Sequence, residues 1–405
     1  MELADICIVG AGPVGGALAC RLAMGGVRVA VVDRAALPPM EHPDFDGRAY
    51  AVAAGSRRLL EAAGLWAKLP LPTCPIDDIR VSDGRVGRPA SRLHLHFDHR
   101  EAGDEKFGWM VEARSLRVAL NAHLDALGLV QVHAPAEIAS VSREETISRR
   151  ETGAVVRLAD GSEIGCRLVV AAEGRRSPLR EQAGIRTTTI PYSQSGLVSA
   201  VAHERPHGNV ALEHFLPGGP FAQLPMAGTD GAPNVSAIVW TERTPLAERL
   251  YASSDAVFGR EIARRLGSHL GALRPIGRRW LYPLSAMHAH RYIDRRLALV
   301  GDAAHGIHPI AGQGLNLGFR DVIALSSLLI EAVRDGADPG APGLLAEYQR
   351  QRRAANLLML GATDALDRLF STDNPLVRRV RDLGIAGVDR LPRLKRAFMR
   401  QAMGA

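Results

Sequence analysis

Apolar residues along this chain fall into three rhythms. Residues 6–9 form an unbroken apolar run that ends in Gly10. The helical spacing of Ala17, Leu18 and Leu22 follows, and "VRVAVVD" then closes on Asp33. An apolar run bounded by glycine is the pattern of a strand buried on both faces, so this stretch predicts a β-α-β unit in about thirty residues. Further on, Leu59, Leu60 and Leu65 predict a helix within residues 48–65 that stops near Gly64. "IDDIRVSDGR" and "RLHLHFD" alternate apolar and polar residues, which predicts strands with one wet face. Residues 115–127 return to the helical period. "GAVVRLADGSEIGCRLVVAAEG" then predicts a hairpin turning at Asp160-Gly161 and a buried strand over residues 168–172. Residues 190–285 are rich in strand formers, Pro and Gly, and predict an antiparallel sheet. In "LALVGDAAHGIHPIAGQGLNLGFRD", residues 297–321, a short apolar strand runs through Gly-Asp into a glycine-dense turn that enters a helix. Helices are expected for the rest of the chain.

Size and composition narrow the possibilities. A chain of 405 residues exceeds one ordinary core, so two domains or one domain with a sub-domain are expected. With 46% hydrophobic and 23% charged residues, disorder, collagen and coiled coil are excluded. The net charge of +7 is carried almost wholly by arginine, since Lys68, Lys106 and Lys395 are the only lysines. No basic run is interleaved with aromatics, so a nucleic-acid partner is not expected. The last thirty residues hold eight basic side chains against Asp382 and Asp389. This basic end either lies on anionic lipid or a partner protein, or packs on the domain as an ordinary amphipathic helix.

Cys7, Cys20, Cys74 and Cys166 form no C-x-x-C pair and read as reduced, buried thiols of a cytoplasmic protein. No uncharged apolar run reaches the roughly 18–20 residues that a membrane helix needs, so any attachment to the inner face of a membrane is expected to be peripheral. No histidine has zinc-like spacing, and no metal is expected.

Two loops carry the chemistry. Gly10, Gly12 and Gly15 have the G-x-G-x-x-G spacing, with Pro13 and Val14 between the last two. The first glycine permits a tight turn, the second lets a pyrophosphate approach the backbone, and the third lets helix and strand pack closely. The motif follows a strand, opens a helix and is followed by Asp33 at the end of the second strand, with Arg34 beside it. An acid there can accept from the ribose hydroxyls of a dinucleotide. In the late loop, Gly301-Asp302 places an acceptor directly after a strand, where a polyol such as a ribityl chain would lie. Gly312, Gly314 and Gly318 open a helix whose first N–H groups can face negative charge on a reduced flavin ring. The two loops thus predict opposite ends of one long cofactor, FAD. No second G-x-G-x-x-G follows a strand, which argues against a separate nicotinamide domain. His305 and His308 stand beside this loop as weak acid–base candidates. Packing or backbone bonding is the commoner role for such histidines.

The chain resembles the flavoprotein aromatic hydroxylases of the p-hydroxybenzoate hydroxylase type, and within them the ubiquinone-biosynthesis branch. The resemblance rests on the first glycine motif, "DGRAYAVAAGSRRLLEAAGLW", "FGWMVE", "LVVAAEGRRSPLR", "FLPGGPFAQLP" and "GDAAHGIHPIAGQGLNLGFRD". It implies an α/β fold, with a glutathione-reductase-type, Rossmann-like FAD domain at 1–75, 105–185 and 285–335. An antiparallel-sheet substrate domain is expected at 76–104 and 186–284, and a helical C-terminus at 336–405.

The resemblance also implies cofactor contacts. The adenosine diphosphate part would be held by Gly12, Gly15 and Asp33, with Arg48 near the pyrophosphate and ribityl chain. Glu173-Gly174 stands where the family has Asp-Gly, a motif serving FAD and the visiting NAD(P)H. Asp302 would bind the ribityl chain, and the backbone from Pro309 through Asn316, including Gly312, Gln313, Gly314 and Leu315, would flank the ring. The implied reaction is hydroxylation of a polyprenylated phenol by O₂ through a flavin hydroperoxide, with no obligatory acid–base dyad. A hydroxylase of a soluble phenol and a non-catalytic FAD-binding scaffold are the alternatives. The isolated Trp66, Trp109, Trp240 and Trp280 lack the W-x-W of a flavin halogenase.

Overall fold

The computed structural model describes residues 2–37, 46–87, 94–101, 103–148, 151–229, 231–308, 312–370 and 392–404. The first apolar run lies in the strand Glu2–Val9, whose last six residues are buried. This strand is central in a sheet whose parallel members run in the order Leu297–Leu299, Glu163–Ala171, Glu2–Val9, Val29–Val32, Val130–His133. Helix Pro13–Met24 packs on it with Ala113–Ala126 and Gln313–Arg334 as neighbours. Strands covered in this way are apolar throughout, which is why they appear as continuous runs in the sequence. The hairpin expected at Asp160-Gly161 joins Glu151–Leu158 to Glu163–Ala171, and Gly161 takes φ 90° at the turn.

A second sheet has eight strands: His305–Gly306, Leu273–Ala289, Thr187–His203, Val235–Arg243, Gly219–Met226, Val210–Leu216, Asp78–Asp83 and His94–Asp98. All neighbours are antiparallel except Val210–Leu216 and Asp78–Asp83, which run parallel. Helices Thr244–Tyr251 and Asp255–Leu266 cover one face of this sheet through a core that includes Trp240 and Phe258. The other face forms an apolar layer with the small sheet of Ala49–Ala53, Gly108–Glu112 and Cys74–Ile76.

Two expectations change. The helix expected within residues 48–65 is preceded by the strand Ala49–Ala53 and begins only at Ala54. Pairing of this strand with Gly108–Glu112 overrides the local alanine-rich helix preference. At the C-terminus, helix Pro392–Met403 buries Met399 and Met403 in the layer beneath the large sheet, and Lys395 pairs with Glu101 at 2.9 Å. Over 392–404, packing on the domain is therefore the reading that holds; 371–391 lie outside the described residues. No described helix is long and apolar enough to cross a membrane. All four cysteines are buried and free.

Candidate active site

The carboxyl ends of the parallel strands open on a cavity of about 1140 Å³. Crevices at this end of a parallel sheet are the usual ligand sites of doubly wound folds. Helices Pro13–Met24 and Gln313–Arg334 both begin at its wall, and neither first turn is capped by a side chain. A β-carbon built on Gly12 or on Gly314 would meet nothing within 4 Å, so at both points the backbone faces open space. Two helix N-termini therefore present N–H groups and positive dipole ends to one cavity.

The glycines divide into those that face the cavity and those that allow the loops to approach. Gly10 has φ 102°, and a β-carbon there would sit 2.5 Å from the Ala172 carbonyl oxygen. On Gly15 it would overlap the carbonyl oxygen of Gly10, so this position is reserved for helix–strand contact. Val14 wedges between the two loops: a β-carbon on Gly318 would lie 2.6 Å from its Cγ2, and one on Gly301 would lie 3.2 Å from its methyls. Gly312, with φ 63°, turns the chain into the second helix.

Asp33 lines the cavity, and its carboxylate accepts from the Ala11 N–H at 2.7 Å and the Ala35 N–H at 2.9 Å. It thus steadies the glycine turn as well as facing the ligand space, with exposed Arg34 beside it. Glu173 accepts from the Ser177 hydroxyl at 2.5 Å and the Leu179 N–H at 3.4 Å, at the start of helix Pro178–Gln182. Burial pushes its carboxyl above the ordinary value, against the opposing pull of Ser177, Leu179 and Arg180. Gly174 is open on its Cβ side. Asp302 lies in the turn Gly301–Ala303, half exposed on the cavity wall, with the Arg175 guanidinium 3.5 Å away.

Other predicted residues do not line the cavity. Arg48 is paired with Asp46 at 2.7 Å and lies over the Trp280 ring at 4.4 Å. Asn316 clamps strand Ala49–Ala53: its Oδ1 accepts from Ala53 N–H at 2.9 Å and Ser56 Oγ at 2.8 Å, while its Nδ2 donates to Ala51 O at 2.8 Å. Gln313 is the first residue of its helix but not part of the wall. Pro309 lies outside the described residues. His305 bonds through Nε2 to Asp321 at 2.5 Å, and His308 is buried edge-on to Tyr192 with ring centroids 5.0 Å apart. Neither histidine lines the cavity.

The sequence reading missed several contributors. Fully buried Asp321 accepts from Gly301 N–H at 3.0 Å, Arg352 Nε at 2.8 Å and Asn356 Nδ2 at 3.1 Å, in addition to His305. Burial alone would raise its carboxyl, but His305 and Arg352 outweigh this and hold it below the usual range. Arg180 is also buried and joins the two acidic turns, donating to Ala303 O at 3.0 Å and Arg175 O at 2.9 Å. Tyr50, Arg175, Arg176, Leu224 and Val239 also line the wall. Tyr50, Arg175, Arg176, Arg180, Leu224 and Asp321 fall within the quoted stretches that carry the resemblance, but nothing local singled them out; Val239 lies outside those stretches.

The cavity fits FAD on three counts. It is long enough to touch both glycine loops. It offers two uncapped helix starts, and Asp33 and Asp302 both stand on its wall as acceptors. Comparison with known proteins agrees. The family model described as FAD binding domain matches residues 3–361. The ubiquinone hydroxylase UbiL of Rhodospirillum rubrum is 49% identical over 403 residues, spanning 100% of this chain and 90% of that protein. The 3-demethoxyubiquinol 3-hydroxylase of Escherichia coli is 34% identical, covering 99% of this chain and 98% of its own. Among solved structures, PqsL, a probable FAD-dependent monooxygenase from Pseudomonas aeruginosa, is 25% identical with a TM-score of 0.73, covering 95% of this chain and 100% of that one. By the extent of these matches, the chain belongs to the FAD-binding-domain family, in its branch of flavin-dependent hydroxylases.

Proposed function

We propose that this protein uses FAD, O₂ and NAD(P)H to hydroxylate the aromatic ring of a polyprenylated phenol in ubiquinone biosynthesis. The observation that carries this reading is the lining of the cavity. Its lining joins both helix starts to Leu224, Val239, Ile307 and Leu315, an apolar set drawn from the parallel-sheet domain and the second sheet. When bound, FAD supplies the electron transfer and oxygen chemistry that no set of side chains here provides.

The chain's own residues bind, orient and exclude water. Asp33 would take the adenosine ribose, the N–H groups after Gly12 the pyrophosphate, and Asp302 the ribityl chain. The N–H groups after Gly312 would face the negative pole of the reduced ring. Val239 and Leu224 keep the reacting ring dry, which protects a reactive oxygen donor from water. Similarity to the two quinone hydroxylases supports the substrate class. We further propose that attachment to a membrane or to partner enzymes, where it occurs, runs through the basic C-terminal segment.

The decisive experiment is deletion of the gene, followed by mass spectrometry of the quinone pool. Accumulation of a precursor lacking one ring hydroxyl is expected, and a normal pool would refute the assignment.

A further inference from the structure

One arginine on the cavity wall is held from several sides. Arg175 follows the buried strand Glu163–Ala171, and its carbonyl oxygen accepts from Arg180 Nη2 at 2.9 Å, which fixes the backbone from which its side chain departs. The guanidinium then reaches across to the second sheet. There Nη1 donates to both the carbonyl oxygen and the hydroxyl of Ser285, each at 2.8 Å, in strand Leu273–Ala289. A β-carbon on Gly306 would lie 2.8 Å from Nη2, 3.0 Å from Cζ and 3.1 Å from Nε, so glycine at that position leaves the room the guanidinium occupies. The remaining edge, Nε, faces the Asp302 carboxylate at 3.5 Å.

Asp302 stands on the turn Gly301–Ala303, where the chain leaves the parallel sheet after Leu297–Leu299 and enters the second sheet at His305–Gly306. Arg175 therefore bridges the two sheets at the point where the chain itself crosses between them. A half-exposed ion pair adds little stability, and at 3.5 Å this one is a charge contact, too long for a good hydrogen bond. Asp302 has no other partner among the described residues. One guanidinium thus sets the direction of the carboxylate while leaving its oxygens to accept from a polyol.

We infer that Arg175 is the positioning residue for Asp302. Anchored on Ser285 and seated against Gly306, it aims the carboxylate into the cavity. In doing so it fixes the ribityl side of the cofactor relative to the second sheet, which supplies Leu224 and Val239 to the wall. A forked guanidinium can serve Ser285 and Asp302 from separate nitrogens, which a single ammonium does not. Arg175 acts through Asp302 and transfers no proton. This inference rests on the ribityl role of Asp302 proposed above and adds the residue that directs it.

The test measures FAD affinity of the full-length apoprotein by quenching of flavin fluorescence. Asp302→Ala should weaken binding by about tenfold or more, the worth of a hydrogen bond to a charged group. Arg175→Leu should weaken it by about fivefold, a typical coupling between neighbouring groups, while the apoprotein melts as the wild type does. The two losses should not multiply: the double variant should match Asp302→Ala alone, because nothing is left to aim. Gly306→Ala pushes the guanidinium off its seat without removing it, so it should reproduce the loss of Arg175→Leu and add nothing in that background. At saturating FAD, the visible circular dichroism of the bound flavin should change in the same sense in Arg175→Leu as in Asp302→Ala, a signature that a merely structural arginine would not give. Wild-type affinity in Arg175→Leu, or losses that multiply in the double variant, would overturn the inference and leave Asp302 its role. Normal affinity in Asp302→Ala would overturn the ribityl reading, and this inference with it.

Discussion

Replacing Glu213 by Gln removes one titration from the folded protein and should change the way its stability depends on pH. The Glu213 carboxyl has an ordinary value of 4.5 and stands at about 8 in the fold, with burial as the cause. The folded state therefore holds this proton more tightly than the unfolded chain does. The associated stability is whole below pH 4.5, declines as pH rises, and is gone above about 8. A rise from 4.5 to about 8, at about 1.4 kcal/mol per unit, comes to about 5 kcal/mol across the window. Glutamine has nearly the same shape and does not titrate. Groups common to both proteins cancel in the difference. Urea unfolding of the two proteins at pH 5, 6, 7 and 8 should show the wild type losing ground with each step. Most of the separation should develop below pH 8, and the variant should be the more stable protein at pH 8. Parallel curves would show that Glu213 has a partner or reaches water, and would refute its burial as a lone carboxyl.

Three further outcomes follow from the site. Gly15→Ala places a methyl group on the Gly10 carbonyl, and should either prevent folding or lower the melting temperature with loss of FAD, read by calorimetry and flavin content; a normal protein would refute the helix–strand contact. Asp302→Ala alters a half-exposed side chain, so stability should stay within about 0.5 kcal/mol while the protein purifies pale and inactive; full yellow colour with turnover would contradict its ribityl role. Asp321→Asn leaves Arg352 and His305 buried without their counter-charge and should cost about 3–5 kcal/mol in denaturant unfolding, although no atom of Asp321 lines the cavity.

Much of the candidate site was legible because its signals are local. Gly10, Gly12, Asp33, Glu173, Gly174, Asp302, Gly312 and Gly314 all sit where a strand ends or a helix begins, and all line the cavity. The partners of the Arg48 and Asn316 side chains were not legible, because a motif gives position in the chain without giving side-chain direction. Arg48 turns to Asp46 and Trp280, and Asn316 turns to the strand behind it. Leu224 and Val239 could not be selected from the alternating strands of the second sheet, since nothing in their own neighbourhood says which face meets the cavity.

The sequence by itself determined the strand–turn–helix units at both ends of the site, because buried apolar runs and glycine geometry act over a few residues. Tertiary structure alone decided that Val14 meets Gly301 and Gly318, that Asp321 gathers His305, Arg352 and the Gly301 N–H, and that Glu213 has no side-chain partner among the described residues. The Val14 contacts join opposite ends of the chain, and those of Asp321 span 16, 20 and 31 positions. Whether a charge is paired, capped or stranded depends on what the fold brings beside it, a property no stretch of sequence holds within itself.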